Sequence, residues 1–501
     1  VHPVILDRGG LFFPLQLAFL FGNFGIDSNQ VIMILKKQFS FSKQLIKSIW
    51  HTFQSGINLF TLLKSVRNSE HSYLNDGNRK INYAQLYDDS FSVIEKLRTV
   101  HSNQIDDQVV LLADNSFDFI KYLFALSALT KEIVIISPHL SENQLETILQ
   151  NYRSTLIITD HIQRLKNING QSNCYSFDEI NSYNPHVATK RFKRNNGKIT
   201  ILSTGTSNMP TPVERKLNIT KIWNPFIELI SRLELLRYSS CQITVPFYHG
   251  YGLASLVLGL FLKQDIHFTG KFSSKFIAQS IINNRIDCLV ILPAMMTKII
   301  AADYQALGIC KCLISGGDKL EPTWVSFILN QYPTTKIFNL YGTTELGICS
   351  IATQQDLIMN NSTIGRFLKG IKYRLQENQE LQIRCPWIQD RSKRQYLSTG
   401  DFIRMDKNGL LYYLGRMNDS SNIGGHVVHG DELAKKITAY PSIIEARVII
   451  YKNEILIPEL RLKLTLKNDA VFDQDDFKNW LEKTFPKYLQ PKSVDYSFKY
   501  A

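Results

Sequence analysis

No stretch of the 501-residue chain approaches the roughly 20 consecutive apolar residues that a membrane span requires. Leu11–Phe24 comes nearest, and Pro14 and Gln16 interrupt it. It lacks a basic leading region and a small-residue cleavage site, which argues against a secretory signal. It reads as a segment docked on the protein's own surface, with a shallow peripheral membrane contact as the alternative. Cysteine is scarce: seven residues, scattered and odd in number. Cys310 and Cys312 are close, but no second pair completes a zinc site. A reduced, cytoplasmic setting fits, with the thiols as small core residues. Long basic tracts are missing too. The formal net charge is +13, yet the densest run is only Lys190–Arg194, just ahead of a strand. Nucleic acid is therefore not favoured as a partner. The excess reads as solvated basic surface, or as attraction to anionic partners. There is no internal repeat and no low-complexity segment.

What remains is ordinary globular material, 44% hydrophobic and 20% charged. The length demands two or more domains. Residues 1–70 read as an apolar, helical N-terminal extension, with Leu35, Phe39, Leu45, Ile46, Ile49 and Trp50 at helical spacings. Apolar runs then alternate with helical patterns. Gln108–Ala113, Glu132–Ser137 and Leu156–Thr159 read as buried strands, and Phe117–Leu129 and Ser141–Tyr152 as helices. The same rhythm returns at 198–203, 241–246, 286–292, 311–315 and 335–340. Such alternation predicts α/β architecture, with parallel sheets covered on both faces. Beyond about residue 370, short alternating runs predict a small antiparallel subdomain. A final α+β unit has helices at 430–438 and 473–484 and strands at 444–451 and 459–466.

Ligands of open α/β sheets lie beyond the carboxyl ends of strands, so the turns there are the places to look for chemistry. Ser203, Thr204, Gly205, Thr206 and Ser207 follow one strand. Their hydroxyls and amides could wrap phosphate oxygens, or form a plain turn. Pro246–Gly252 follows another and carries His249, either a pocket wall or a surface histidine. Ser315, Gly316, Gly317 and Asp318 permit close backbone approach to a flat ring, or simply turn the chain into a helix. Tyr341, Gly342, Thr343, Thr344 and Glu345 supply an aromatic plate, a glycine, two hydroxyls and a carboxylate. Stacking, phosphate contact and Mg²⁺ ligation need those groups, although a polar loop would also use them. Asp401, in Thr399–Asp401, is suited to gripping ribose hydroxyls. Arg416 ends a later strand and suits phosphate or hydroxyl contact.

No single motif decides the matter, but their order does. Taken in sequence, they resemble the acyl-CoA synthetase (fatty acid–CoA ligase) branch of the adenylate-forming, AMP-binding superfamily, over about residues 70–492. The resemblance implies a large AMP-binding domain at 71–415 and a small, mobile C-terminal lid domain at 416–501. It implies ATP, Mg²⁺ and coenzyme A as cofactors, and a small-molecule carboxylic acid as substrate. The acid becomes an acyl-adenylate with loss of pyrophosphate, and a thiol then displaces AMP. The thiol is that of coenzyme A or, alternatively, of an acyl carrier protein. By the resemblance, Ser203 to Ser207 hold the β- and γ-phosphates and His249 borders the acyl pocket. Gly316 and Gly317 flank adenine, with Tyr341 and Gly342 in the nucleotide site and Tyr341 stacked on the base. Thr344 touches the α-phosphate and Glu345 ligates Mg²⁺. Asp401 binds ribose with Arg416 beside it, and Gly424 and Gly425 shape the thiol tunnel.

The chain departs from this pattern in three places. Asn208 and Thr211 stand where the family's phosphate loop carries glycine and lysine. Asn418 stands at the hinge, and Asn422 replaces a lysine that often follows. The late Gly-Lys motif has no counterpart between Pro491 and Ala501. The readings are a truncated form of a competent enzyme, a slow enzyme, or an adenylate-binding relative with weakened catalysis. Amino-acid-activating relatives place an aspartate early in the acyl-pocket motif; here that stretch is Phe247, Tyr248 and His249. An acid without an amino group is expected. The apolar N-terminal extension leans towards a fatty acid, with an aromatic acid as the alternative.

Overall fold

The computed structural model describes residues 41–498, except 49, 53, 70–71, 101–104, 106, 153–154, 167–172, 185–193, 203–211, 214–218, 378–379, 386–395, 417–419, 424–425, 453–457 and 468–471. Two compact units form, Val1–Ile46 and Lys47–Ala501. Of the first, residues 41–46 are described, and they are helical. Leu11–Phe24 lies outside the described residues. Among the described residues, no helix is long and apolar enough to cross a membrane.

The second unit is built on two sheets. The first runs in the order Cys174–Ser176, Leu156–Thr159, Gln108–Leu112, Glu132–Ile136, Lys198–Leu202 and Pro212–Val213. All its pairings are parallel except the last. Its central strands are buried almost end to end, as continuous apolar runs require when both faces are covered. Side-chain caps mark where its helices begin. Ser116 accepts from Phe119 N ahead of Phe117–Leu129, and Ser141 with Gln144 forms a capping box ahead of Glu142–Gln150. The helix Leu59–Val66 packs against Tyr83–Val100 and Phe117–Leu129, with Leu63 and Val66 buried.

The second sheet has thirteen strands. Its parallel middle runs Asp265–Phe268, Ser240–Ile243, Cys288–Ile291, Cys312–Gly316 and Lys336–Thr343. Cys241, Cys288 and Cys312 stand in register across three adjacent strands of it, all buried. The sheet then turns antiparallel through Gly347–Ala352, Thr363–Phe367, Leu411–Arg416, Leu397–Met405, Glu380–Arg384 and Lys372–Leu375. The antiparallel subdomain expected after residue 370 is thus continuous with the parallel part and begins earlier, at Gly347.

One side chain ties the two sheets. Asn115, 6% exposed, follows Gln108–Leu112 of the first sheet. Its Oδ1 accepts from Phe247 N at 2.7 Å, and its Nδ2 donates to Thr269 O at 3.3 Å. Both partners lie just past strands of the second sheet, so a single amide satisfies backbone groups that burial would otherwise strand.

A small C-terminal domain completes the chain. Ile443–Lys452 pairs antiparallel with Pro458–Leu466, which pairs parallel with Ser493–Phe498. Leu460, Leu462, Leu464 and Leu466 alternate onto one buried face. They meet Leu433 and Ile437 from Gly430–Thr438, and Phe477 and Leu481 from Gln474–Thr484, in a core of the domain's own.

His267, on the strand Asp265–Phe268, links burial to pH. It is 2% exposed, and burial, followed by the charge of Lys80, lowers its pKa from 6.5 to about 4. The unfolded chain therefore takes up this proton first as pH falls. The contribution is complete above the unfolded value and is lost towards about pH 4, on the order of 3 kcal/mol. His267→Gln is expected to lose less stability than the parent on acidification. Urea unfolding across this pH window measures it, and an unchanged pH slope would refute the account.

Candidate active site

Three of the expected motifs, Pro246–Gly252, Ser315–Asp318 and Tyr341–Glu345, lie at the carboxyl ends of the second sheet's parallel strands. Gly316 ends Cys312–Gly316 and sits opposite Leu340 on the neighbouring strand. Gly317 therefore leaves the sheet beside Tyr341, which stays in its strand and pairs with Ser350. Gly317 has a φ of +80°, and a Cβ there would lie 2.9 Å from Leu292 Cδ2. The positive φ disfavours any side chain there, and Gly317 leaves a ledge of exposed backbone beside buried Gly316. Gly342 is required for a different reason. A Cβ would come within 2.0 Å of Gly347 O, closing off the tight hairpin in which Thr343 faces Gly347. Thr344 and Glu345 occupy the exposed tip of that hairpin. Thr343 Oγ1 steadies it by accepting from Leu346 N at 3.2 Å.

Tyr341 is 9% exposed, and its hydroxyl donates to Asp401 Oδ2 at 2.7 Å. Burial, reinforced by the Asp401 charge, pushes the phenol well above its ordinary pKa, so it remains a donor. Asp401 is 3% exposed and lies directly across the ladder from Arg416. The expected base plate, ribose grip and arginine position are thereby joined.

His249 precedes the helix Gly250–Phe261. Burial, with the nearby charge of His139 second, lowers its pKa to about 4. The positive end of the helix disfavours a cation in the same place. The imidazole is therefore uncharged at neutral pH. Phe247 and Tyr248 beside it are buried. Tyr251, in the first turn of the helix, connects this wall to the ledge. Its hydroxyl donates to Ile314 O at 2.9 Å, and its ring lies 3.5 Å from where a Gly316 Cβ would stand.

Ser203, Thr204, Gly205, Thr206, Ser207, Gly424 and Gly425 lie outside the described residues. Asn115 and Arg232 lie outside every motif, and Tyr251 stands in the Pro246–Gly252 stretch without a role read for it. Arg232 ends the helix Ile219–Arg232. Its guanidinium donates to Arg366 O at 3.1 Å, to Phe367 O at 3.3 Å and to Ile351 O. It therefore grips the two strands that follow the Tyr341–Glu345 hairpin. The strand-end position of Asn115 was a usable signal, whereas nothing local marks Arg232.

A glycine ledge, a phenol on a buried carboxylate, and hydroxyls beside an exposed carboxylate suit a nucleotide with its metal. The sequence profile of the family described as AMP-binding enzyme matches residues 64–214 and 227–386. The chain belongs to that family. It is similar to a 2-succinylbenzoate–CoA ligase of Lactococcus lactis, 23% identical over 439 residues, 85% of this chain and 92% of the relative. A ligase of the same name from Bacillus anthracis is 22% identical over 446 residues, 83% and 89% of the two chains. Among solved structures, an o-succinylbenzoate CoA synthetase of Bacillus subtilis with a product analogue aligns at TM-score 0.74 and 17% identity. That alignment covers 88% of this chain and 95% of the other. An amide bond synthetase of Marinactinospora thermotolerans aligns at TM-score 0.75 and 14% identity, covering 88% and 96%. The Bacillus subtilis synthetase has also been solved with ATP and magnesium ion, and there the TM-score is 0.63 at 17% identity, covering 87% and 95%. These likenesses establish the two-domain fold of this AMP-binding enzyme, with its large, parallel-rich domain and small C-terminal domain.

Tyr341→Phe removes the phenolic donor to the buried Asp401 Oδ2. A loss of about 1.5–3 kcal/mol is expected from hydrogen bonds to charged groups. Urea unfolding of the purified variant checks it, and a loss indistinguishable from zero would show that the bond carries no stability.

Proposed function

We propose that this chain is an acid–thiol ligase. It activates a carboxylic acid with ATP and Mg²⁺ to an acyl-adenylate and passes the acyl group to coenzyme A. ATP-dependent activation followed by thioester formation fits the family. The observation that carries the reading is the Tyr341–Asp401 bond beside the Gly316–Gly317 ledge, which sets a base plate next to a ribose acceptor. The acid in this reading is aromatic, of the 2-succinylbenzoate kind. Two observations favour it over the fatty acid suggested by the N-terminal extension. The curated relatives are named for 2-succinylbenzoate, and the stretch read as bordering the acyl group carries the rings of Tyr248, His249 and Tyr251. A fatty-acid role has no support among these relatives.

The reaction brings a carboxylate against a phosphate, anion against anion. Positioning and charge neutralisation are needed more than a protein nucleophile. Glu345 would hold Mg²⁺ together with the nucleotide's phosphates. One exposed carboxylate beside hydroxyls suits a cation that stays partly hydrated. Bound there, the metal supplies charge neutralisation at the phosphates. Thr344 donates to the α-phosphate, and Ser203 to Ser207 hold the β- and γ-phosphates. Uncharged His249 borders the acyl group without competing for its carboxylate. Asp401 and Arg416 take the ribose, and Gly424 with Gly425 shape the approach of the thiol. Asn208 and Thr211 leave the phosphate loop without its usual cation, which predicts a slow first step.

Pyrophosphate release with ATP and Mg²⁺ is expected in the presence of 2-succinylbenzoate, and not with a long-chain fatty acid. Release with the fatty acid alone would overturn the choice of acid. AMP binding without release for any acid would overturn the ligase itself. Glu345→Ala is expected to slow release by about 10²–10³-fold with an unchanged unfolding midpoint. Near-normal rates in that variant would remove the metal role.

A further inference from the structure

Four ionisable side chains outside the proposed nucleotide machinery meet at the carboxyl ends of three adjacent strands of the first sheet. Asp114 follows Gln108–Leu112, His139 follows Glu132–Ile136, and Asp160 and His161 follow Leu156–Thr159. His161 Nε2 lies 3.2 Å from Asp114 Oδ2 and 3.2 Å from Asp160 Oδ1. His139 Nε2 lies 2.8 Å from Asp114 Oδ1. Asp160 Oδ2 accepts from Asp114 N at 3.1 Å, which turns the other oxygen towards the imidazole. One ligand atom from each of Asp114, Asp160 and His161 falls within 4.8 Å of the others.

This geometry is poorly served by protons alone. A single imidazole nitrogen carries at most one proton, yet Nε2 of His161 touches two carboxylates. Only one can receive a hydrogen bond from it, and the other gains no donor there. A divalent cation at the common point would satisfy both oxygens and the nitrogen together.

We propose that Asp114, Asp160 and His161 form a binding site for a divalent cation of the Zn²⁺ class, separate from the Mg²⁺ of the nucleotide reaction. Two carboxylate oxygens and an imidazole nitrogen suit zinc, whereas Mg²⁺ and Ca²⁺ take oxygen ligands. The two aspartates balance the charge of the ion. Three protein ligands leave at least one position for water. His139, on the outer oxygen of Asp114, fixes the orientation of that carboxylate. The ion would bind two strand-end turns together. One of them carries Asn115, whose amide holds Phe247 N and Thr269 O. Metal occupancy would therefore stiffen the joint between the two sheets.

The test uses the full chain with Zn²⁺ alone, in the absence of nucleotide. Equilibrium dialysis is expected to give one ion per chain with micromolar affinity, accompanied by a rise in unfolding temperature. Asp160→Asn keeps an acceptor for Asp114 N and so preserves the turn. It and His161→Gln are each expected to weaken zinc binding by at least about tenfold. His139→Gln is expected to have a smaller effect, and Glu345→Gln none. Absence of stoichiometric binding overturns the proposal. So does binding that survives both Asp160→Asn and His161→Gln, or binding that is lost with Glu345→Gln. Near-parental circular dichroism in Asp160→Asn separates loss of a ligand from loss of the fold.

Discussion

The bond from Tyr341 to Asp401 constrains how the thirteen-stranded sheet closes on itself. Its two strands are four places apart in the thirteen-stranded sheet. At the usual strand spacing, a flat sheet would separate them by about 19 Å. They nevertheless meet at 2.7 Å in a buried hydrogen bond. The antiparallel end must therefore coil back over the last parallel strand, as right-handed twist allows. That return brings Asp401, and Arg416 opposite it, to the Gly316–Gly317 ledge.

Two further contacts hold the coil in register. The Arg232 guanidinium reaches three carbonyls on Gly347–Ala352 and on the Arg366–Phe367 end of the next strand. The Asn115 amide anchors the His249 side by holding Phe247 N. Each donates to or accepts from main-chain groups at strand ends. Each also spans more than a hundred residues of sequence. The site is thus made of strand ends and turns, and its rigidity comes from a few long-range polar ties.

Much of the fold was legible because its strands are buried on both faces. Cys288–Ile291 and Cys312–Gly316 are uninterrupted apolar runs closed by turn residues, which local pattern detects. The glycines of the site were legible for a similar reason, since Gly317 and Gly342 stand where backbone geometry admits little else. The hairpin partner Gly347–Ala352 and the short strand Tyr73–Asn75 escaped, because pairing and not periodicity defines them. Arg232 escaped as well, as did the contact made by Tyr251. Their partners, Ile314 O and the carbonyls near residues 351–367, are brought close only by the finished fold. The lean towards a fatty acid rested on the apolar N-terminal extension, residues 1–70, a segment remote in sequence from the acyl-pocket stretch, and the relatives named for 2-succinylbenzoate lend it no support. The rings of Tyr248 and Tyr251 were already in the motif.

The row formed by Cys241, Cys288 and Cys312 has a practical side. Six of the seven cysteines are buried, and only Cys174 is partly open. Burial raises the pKa of the Cys174 thiol to about 11, so little reactive thiolate forms even there. The native protein should therefore consume alkylating reagent slowly, and its core thiols should become reactive as the second sheet opens. The chain thus carries its own label for sheet opening. The rate at which the core thiols are modified would report that motion residue by residue, without an added probe.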